Sequence, residues 1–341
     1  MTATILAAGD HFCLPSLFAE ALRAEVGDEP EIREHTSGWP HEPFGDVAEV
    51  TEAAGDEDEL IAALQGARAC VTQLAPLTQR MLAACPDLEL FAIGRGGPVN
   101  ANLEAATRHG VAVTFAPGRN AAATAEYTVG MILAALRRIA DTHRSLVGGE
   151  WKQSYYAYDE VGLEIGGSTV GLVGYGAIGS RVAGILRAFG ADVLVHDPFV
   201  EADALGDGVR KVELRELLER SRIVTLHARL TEETAGLIGA AEIAAMPAGS
   251  AIVNCARGGL LDYDALCDAL DSGHLLAAGL DVFPEEPIPA GSRLLRTRNV
   301  VLTPHLAGAS RQTAENAARL VAAEVGRLWR GEPLAHVANP G

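Results

Sequence analysis

Short apolar runs rich in β-branched residues alternate along this chain with stretches whose apolar positions recur at helical spacing. The runs fall at residues 3–8, 68–74, 89–94 and 111–116, and then at 169–174, 192–196, 223–228, 251–256, 276–282 and 300–304. Strand runs separated by helical periods predict an α/β fold with parallel sheets, because a crossover helix is what returns the chain to the next parallel strand. Two clusters of such runs predict two doubly wound parallel-sheet domains.

Between the clusters, residues 122–140 read as one long helix, with Val129, Ile132, Leu133, Leu136 and Ile139 on a single stripe. It follows the turn-like 117-PGRN-120, and its place marks it as the crossover between domains. A last helix near 310–330 is expected to fold back on the first domain. The expected division is therefore 1–121 plus 307–341, discontinuous in sequence, and 122–306. The segment 148-GGEWKQSYYAYDEVGLEIGG-167 fits neither pattern and carries Trp151, Tyr155, Tyr156 and Tyr158 in a polar setting. These aromatics either cap a site, pack on a second subunit or pack on their own domain.

Composition narrows the classes of function. The 341 residues carry a net charge of −18, which argues against sequence-independent nucleic-acid binding and against docking on anionic membranes. An acidic surface of this kind also simply keeps a protein soluble. The five cysteines (Cys13, Cys70, Cys85, Cys255 and Cys267) are scattered, with no CxxC pair. No metal site is expected from them, and they fit a reducing cytoplasm. The start of the chain has no basic, then apolar, leader pattern, so no signal peptide or membrane anchor is expected.

The stretch 169-TVGLVGYGAIGSRVAGILRAFG-190 reads as a strand, a G-x-G-x-x-G turn and a helix. Gly174 permits the tight turn, Gly176 lets the backbone approach a pyrophosphate, and Gly179 lets helix and strand pack closely. With Ala177 and Ile178 between the glycines, the turn delivers free N–H groups at a helix N-terminus to the phosphates. Asp197 ends the next strand, placed to accept hydrogen bonds from a ribose diol and to repel a 2′-phosphate. Pro198 and Phe199 bring no cation, so NAD is expected over NADP.

Three ionisable groups follow at strand ends of the same domain: Arg257 in 252-IVNCARGGLLD-262, Glu285 and Glu286 in 281-DVFPEEP-287, and His305 in 302-LTPHLAGAS-310. Carboxyl ends of parallel strands are where such sheets bind ligands. Oxidising an alcohol by hydride transfer needs a base for the hydroxyl proton, and His305 has the right intrinsic basicity. A carboxylate on the other ring nitrogen fixes the tautomer, and Arg257 grips a substrate carboxylate or carbonyl. An arginine delivered by an apolar strand needs an anion, and Gly258 and Gly259 after it read as room for substrate and nicotinamide.

At these residues the chain resembles the D-isomer-specific 2-hydroxyacid dehydrogenases, especially their phosphoglycerate dehydrogenase branch. The matching stretches are VGLVGYGAIGSRVA, IVNCARGGLLD, AGLDVFPEEP and TPHLAGAS, with NLEAATRHGVAV and AAATAEYTVGMILA upstream, so the resemblance covers most of residues 85–330. It implies a Rossmann NAD-binding domain inserted into a flavodoxin-like substrate domain. It also implies Arg257 on the substrate carboxylate, Glu286 orienting the catalytic His, and His305 as acid and base. Asp281 would contact the nicotinamide carboxamide, His227 and Ala256 would lie along the cofactor, and Glu285 would be a bystander. Glu286 separates the chain from the similar formate dehydrogenase branch, which carries Gln there.

The resemblance further assigns Arg95, Gly96 and Gly97 to a loop that presents donors to the substrate carboxylate. Pro98 follows them and the loop is shorter than in the phosphoglycerate type. With Gln73 nearby in sequence pattern, this points away from phosphoglycerate itself. The length leaves no room for the appended regulatory domain of long relatives, so serine feedback is not expected. The expected activity is an NAD-dependent dehydrogenase or reductase for a small anionic 2-hydroxy/2-keto acid. Arg95 and Arg119, as spare cations, admit a second anionic or polar group such as that of a sugar-acid derivative. An NAD(H)-sensing, corepressor-like binding protein is the alternative on this fold. By resemblance, the protein is a homodimer built through the long helix and the 151–165 segment.

Overall fold

The computed structural model describes residues 3–340. It divides into two compact units: a first from the chain start to Asn120 with the stretch from Ala309 onward, and a second from Ala121 to Gly308.

The first unit contains β1 (Thr4–Gly9), α1 (Pro15–Val26), β2 (Glu31–Thr36), β3 (Gly45–Val47), β4 (Val50–Ala53), α2 (Glu57–Leu64), β5 (Ala67–Thr72), α3 (Gln79–Ala84), β6 (Leu90–Ile93), α4 (Leu103–Arg108) and β7 (Ala112–Phe115). Five strands form a parallel sheet in the order β2-β1-β5-β6-β7, while β3 and β4 make a separate antiparallel pair. Counted within the sheet this is the 2-1-3-4-5 order of flavodoxin-like folds, whose switch point lies between β1 and β5. The period of two sends Ile5 and Ala7 to one face, against α1, and Leu6 and Ala8 to the other, against α2 and α3. Both faces are therefore dry, and β1 is buried at every position.

In the second unit the elements are α5 (Ala121–Leu136), α6 (Ile139–Val147), β8 (Thr169–Val173), α7 (Gly179–Ala188), β9 (Asp192–His196), β10 (Val209–Lys211), α8 (Leu214–Arg220), β11 (Ile223–Leu226), α9 (Ala240–Ala245), β12 (Ser250–Asn254), α10 (Tyr263–Asp271), β13 (Leu275–Leu280) and β14 (Val300–Leu302). All seven strands run parallel in the order β10-β9-β8-β11-β12-β13-β14. This is the 3-2-1-4-5-6 dinucleotide order with one strand added, and its switch point lies between β8 and β11. The chain then returns to the first unit through α11 (Arg311–Arg330), capped by the Ser310 hydroxyl, which accepts the Thr313 N–H at 3.0 Å. Ala314, Ala317, Ala318, Val321, Ala322 and Val325 make its buried stripe. The small residues let it lie close to α1 and the sheet.

Two expectations need correction. The single helix over 122–140 is two helices, broken where Arg138 adopts a left-handed conformation (φ 54°). Its guanidinium donates to the Glu160 carbonyl at 3.2 Å, pairs with the Glu160 carboxylate and lies 5.2 Å from the Tyr155 ring centre. These contacts hold the chain in a conformation that costs about 1–2 kcal/mol for a residue with a Cβ. The 148–167 segment thus folds back over the helix break, and Gly162 is needed there because a Cβ would strike the Leu136 carbonyl oxygen. The first domain also holds β2, β3 and β4, which the apolar runs did not announce.

Candidate functional site

The glycine turn leaves β8 at the switch point of the second unit. Gly174 has φ +102°, and a Cβ there would lie 2.7 Å from the Ala228 nitrogen and the His227 carbonyl carbon. A Cβ on Gly179 would strike the Gly174 carbonyl oxygen. Both glycines are demanded by the chain's own packing. Gly176 differs: among the described residues nothing lies within 4 Å of a Cβ built on it. Its side of the turn is open space. Ala177 and Ile178 lead into α7, whose N-terminus carries no side-chain cap among the described residues; the Gly179 N–H meets no acceptor among them, whereas the Ser180 N–H is taken by the Gly176 carbonyl at 3.0 Å.

Asp197, after β9, accepts the Tyr175 N–H through Oδ2 at 2.7 Å and the Phe199 N–H through Oδ1 at 2.9 Å. The acid thereby ties the end of β9 to the glycine turn, and each oxygen keeps a further lone pair. His227 sits after β11, with its N–H on the Val173 carbonyl at 2.7 Å and its Nε2 3.2 Å from the Thr225 hydroxyl. Burial lowers its pKa to about 4, so the ring is neutral near pH 7. These residues fit a dinucleotide: an open glycine, an uncapped helix start and an acid one strand over.

The next three strand ends carry the ionisable groups. After β12, the buried Asn254 closes a turn by accepting the Ala256 N–H at 3.0 Å and donating to the Arg257 carbonyl at 2.9 Å. Arg257 is left exposed, its one side-chain hydrogen bond among the described residues running from Nη1 to the Ala256 carbonyl at 2.7 Å. The expectation that Gly258 and Gly259 make room for ligands is overturned. A Cβ on Gly258 would strike the Phe283 carbonyl, and one on Gly259 would lie 2.9 Å from Leu230 Cδ2. Gly258 is there so that the Arg257 loop can touch the loop after β13.

That second loop carries Glu286. One of its oxygens accepts the Phe283 N–H at 2.8 Å and the other meets His305 Nδ1 at 2.7 Å. A carboxylate on Nδ1 leaves Nε2 as the ring's free position. Glu285, beside it, is exposed. His305 follows the edge strand β14 in a left-handed conformation (φ 54°). Asp281, completely buried, imposes this conformation. Its carbonyl accepts the His305 N–H at 2.8 Å, and its carboxylate accepts the Thr303 hydroxyl at 2.6 Å and the N–H groups of Leu306 and Ala307 at 2.9 and 2.8 Å. Sequence reasoning missed Asn254 and Thr303, and it missed this clamping by Asp281. The one available signal was a polar residue at the end of an apolar strand.

Arg257, Glu286 and His305 thus stand at the carboxyl ends of three adjacent strands, β12, β13 and β14. Arg95, Gly96 and Gly97 lie in the first unit, after β6. There Arg95 pairs with the Glu52 carboxylate and donates to its carbonyl at 3.2 Å. Cβ atoms built on Gly96 or Gly97 meet nothing within 4 Å among the described residues.

An all-parallel sheet with a glycine turn at its switch point, an acid on the neighbouring strand and a carboxylate–imidazole pair at its edge defines a dinucleotide-linked redox domain. Comparison with known proteins agrees. The family model for the D-isomer specific 2-hydroxyacid dehydrogenase NAD binding domain matches residues 129–307. The D-3-phosphoglycerate dehydrogenase of Mycobacterium leprae is 40% identical over 323 residues, 94% of this chain and 57% of that one. A glyoxylate reductase of Korarchaeum cryptofilum is 36% identical over 290 residues, 84% of this chain and 87% of its own. Among solved structures, the TT0316 protein of Thermus thermophilus superposes with a TM-score of 0.79 at 30% identity, covering 98% of this chain and 99% of that one. The chain belongs to the D-isomer specific 2-hydroxyacid dehydrogenase family, in its phosphoglycerate dehydrogenase-like branch, and NAD is the cofactor of its second unit. It spans about half the length of the phosphoglycerate dehydrogenases it matches.

Proposed function

We propose that the protein interconverts a small D-2-hydroxy acid and its 2-keto acid, with NAD as the redox partner. The observation that carries this reading is the 2.7 Å contact between His305 Nδ1 and Glu286. With Nδ1–H donated to the carboxylate, the Nε2 lone pair takes the hydroxyl proton when the alcohol is oxidised. The resulting imidazolium, stabilised by Glu286, returns the proton in the reduction direction. Positioned proton transfer of this kind contributes about 10²–10⁴-fold. Arg257 holds the substrate carboxylate and carbonyl through its free donors. The chemistry that NAD supplies when bound is acceptance of the hydride.

Gly174, Gly176, Ala177, Ile178, Gly179 and Asp197 would hold its pyrophosphate and ribose, with His227, Ala256 and Asp281 along the rest of it. In this reading the first unit, residues 1–121 with 307–341 by the sequence division, is the substrate domain. There Arg95, Gly96 and Gly97 supply further donors for the carboxylate. A cytoplasmic setting suits five buried free cysteines, and no described helix is long and apolar enough to cross a membrane.

The test is oxidation of NADH with a panel of 2-keto acids including glyoxylate and hydroxypyruvate. Arg257→Ala and His305→Ala should each lose turnover while NADH titration stays near wild type. Turnover persisting in either variant overturns the assignment, and a panel with no productive acid favours the sensing alternative.

A homodimer is part of the same proposal. Val147, Trp151, Tyr156 and Tyr158 are 75%, 77%, 84% and 92% exposed on α6 and the segment after it. Such a cluster of large apolar groups is what an interface covers. A monomer on sizing chromatography sinks this part.

A further inference from the structure

The first unit has its own switch point, between β1 and β5, and a buried and a partly buried charged group near it are not used by the chemistry above. Asp10, just after β1, is 1% exposed. Its Oδ1 accepts the N–H groups of Phe12 at 2.8 Å and Cys13 at 2.7 Å, while Oδ2 accepts no hydrogen bond among the described residues. Arg119, after β7, donates no side-chain hydrogen bond among the described residues, and its Nη1 is buried without a partner. Burial lowers the pKa of Arg119 and raises that of Asp10, each charge partly offsetting the shift of the other. Yet the two do not form an ion pair within 4.0 Å. Gln73, after β5 and 4% exposed, spends its Oε1 on the Cys13 thiol, which leaves its NH₂ donors. Arg95, the other cation nearby, is already matched by Glu52.

Arg119 is partly buried, and a buried donor such as its Nη1, left without an acceptor, costs free energy on folding. Near enough for the two charges to act on each other lies the Asp10 carboxylate, whose Oδ2 accepts nothing among the described residues. A group that both accepts and donates satisfies the two at once, and a hydroxyl is that group. A second carboxylate or a phosphate would satisfy Arg119 but would be repelled by the free oxygen of Asp10. We infer that Arg119, Asp10 and Gln73 form a subsite for hydroxyl groups on the substrate's side chain, so that the substrate is a polyhydroxylated, sugar-derived 2-keto acid. This rests on the reading of the first unit as the substrate domain.

The test compares the full-length protein's kcat/KM for 2-keto-D-gluconate with that for 2-ketohexanoate, which has the same chain length without the hydroxyls. A site built to bond a hydroxyl should favour the former by about 100-fold or more. Arg119→Met should collapse that ratio toward one, as should Asp10→Asn, whereas mere structural damage lowers both substrates alike and leaves the ratio standing. A wild-type ratio near one overturns the inference. So does a preference for 3-phosphohydroxypyruvate or 2-ketoglutarate, which would mean that Arg119 takes an anion. If no 2-keto acid is turned over, the proposed function fails, and binding decides this inference separately. With NADH present, 2-keto-D-gluconate should raise the Tm of wild type but not of Arg119→Met. The absence of that difference overturns it.

Discussion

His305 keeps its left-handed backbone because Asp281 holds it: the Asp281 carbonyl takes the His305 N–H at 2.8 Å, and its carboxylate takes the next two N–H groups. A conformation that costs about 1–3 kcal/mol persists only where the surroundings fix it. Asp281→Ala takes the acceptor from three donors, the Thr303 hydroxyl and the N–H groups of Leu306 and Ala307. The variant should lose about 2–4 kcal/mol of unfolding free energy in urea. Its kcat should fall in parallel, because His305 loses its aim at Glu286.

The glycines divide by cause, and alanine substitution separates them. Gly258→Ala drives a Cβ into the Phe283 carbonyl and should lower stability by about 2–4 kcal/mol together with activity. Gly176→Ala meets only open space. Its unfolding midpoint should stay at the wild-type value while NADH binding, followed by fluorescence titration, weakens at least about tenfold. Equal loss of stability in both variants would refute the ligand cradle.

His227 makes stability depend on pH. Its pKa in the folded protein is lowered to about 4, from 6.5. The unfolded chain therefore takes up the proton first, and the neutral ring favours folding above pH 6.5. That contribution shrinks as pH falls from about 6.5 to 4, by about 1–3 kcal/mol at most. Urea midpoints at pH 7 and pH 4.5 should lie closer together in His227→Gln than in wild type.

Gly162 anchors the aromatic segment. Gly162→Ala places a Cβ against the Leu136 carbonyl, which should part the segment from the helix break and free Tyr155 from Arg138. Trp151 fluorescence and limited proteolysis near 150–162 should change, while NADH binding stays within about twofold of wild type.

Legibility in the sequence followed burial. β1, β8, β11 and β12 are buried along nearly their whole length and announce themselves as apolar runs, and the glycine turn is equally plain in the sequence. β2, written EIREHT, is an edge strand with most positions partly or fully exposed, and no apolar run marks it. The break at Arg138 was hidden for another reason. Ile139 continues the helical stripe, and no proline or glycine stands at 137 or 138. The conformation comes from Glu160 and Tyr155, which are distant in sequence. In the candidate site, residue identity suggested Arg257, Glu286 and His305. The purpose of Gly258 and the clamping by Asp281 depend on backbone atoms of other loops, which carry no sequence signature.

The placement of β14 has one more consequence. This strand is three residues long, stands at the end of its sheet and pairs with β13 alone. The imidazole therefore follows an edge strand bonded on one side alone, as β10 is at the opposite edge, while Arg257 rides on β12, hydrogen-bonded on both sides. Partial opening from that margin would disarm proton transfer while the anion grip stayed folded. With the proposed acid–base pair standing beside an edge strand, loss of turnover on heating or in denaturant should run ahead of global unfolding.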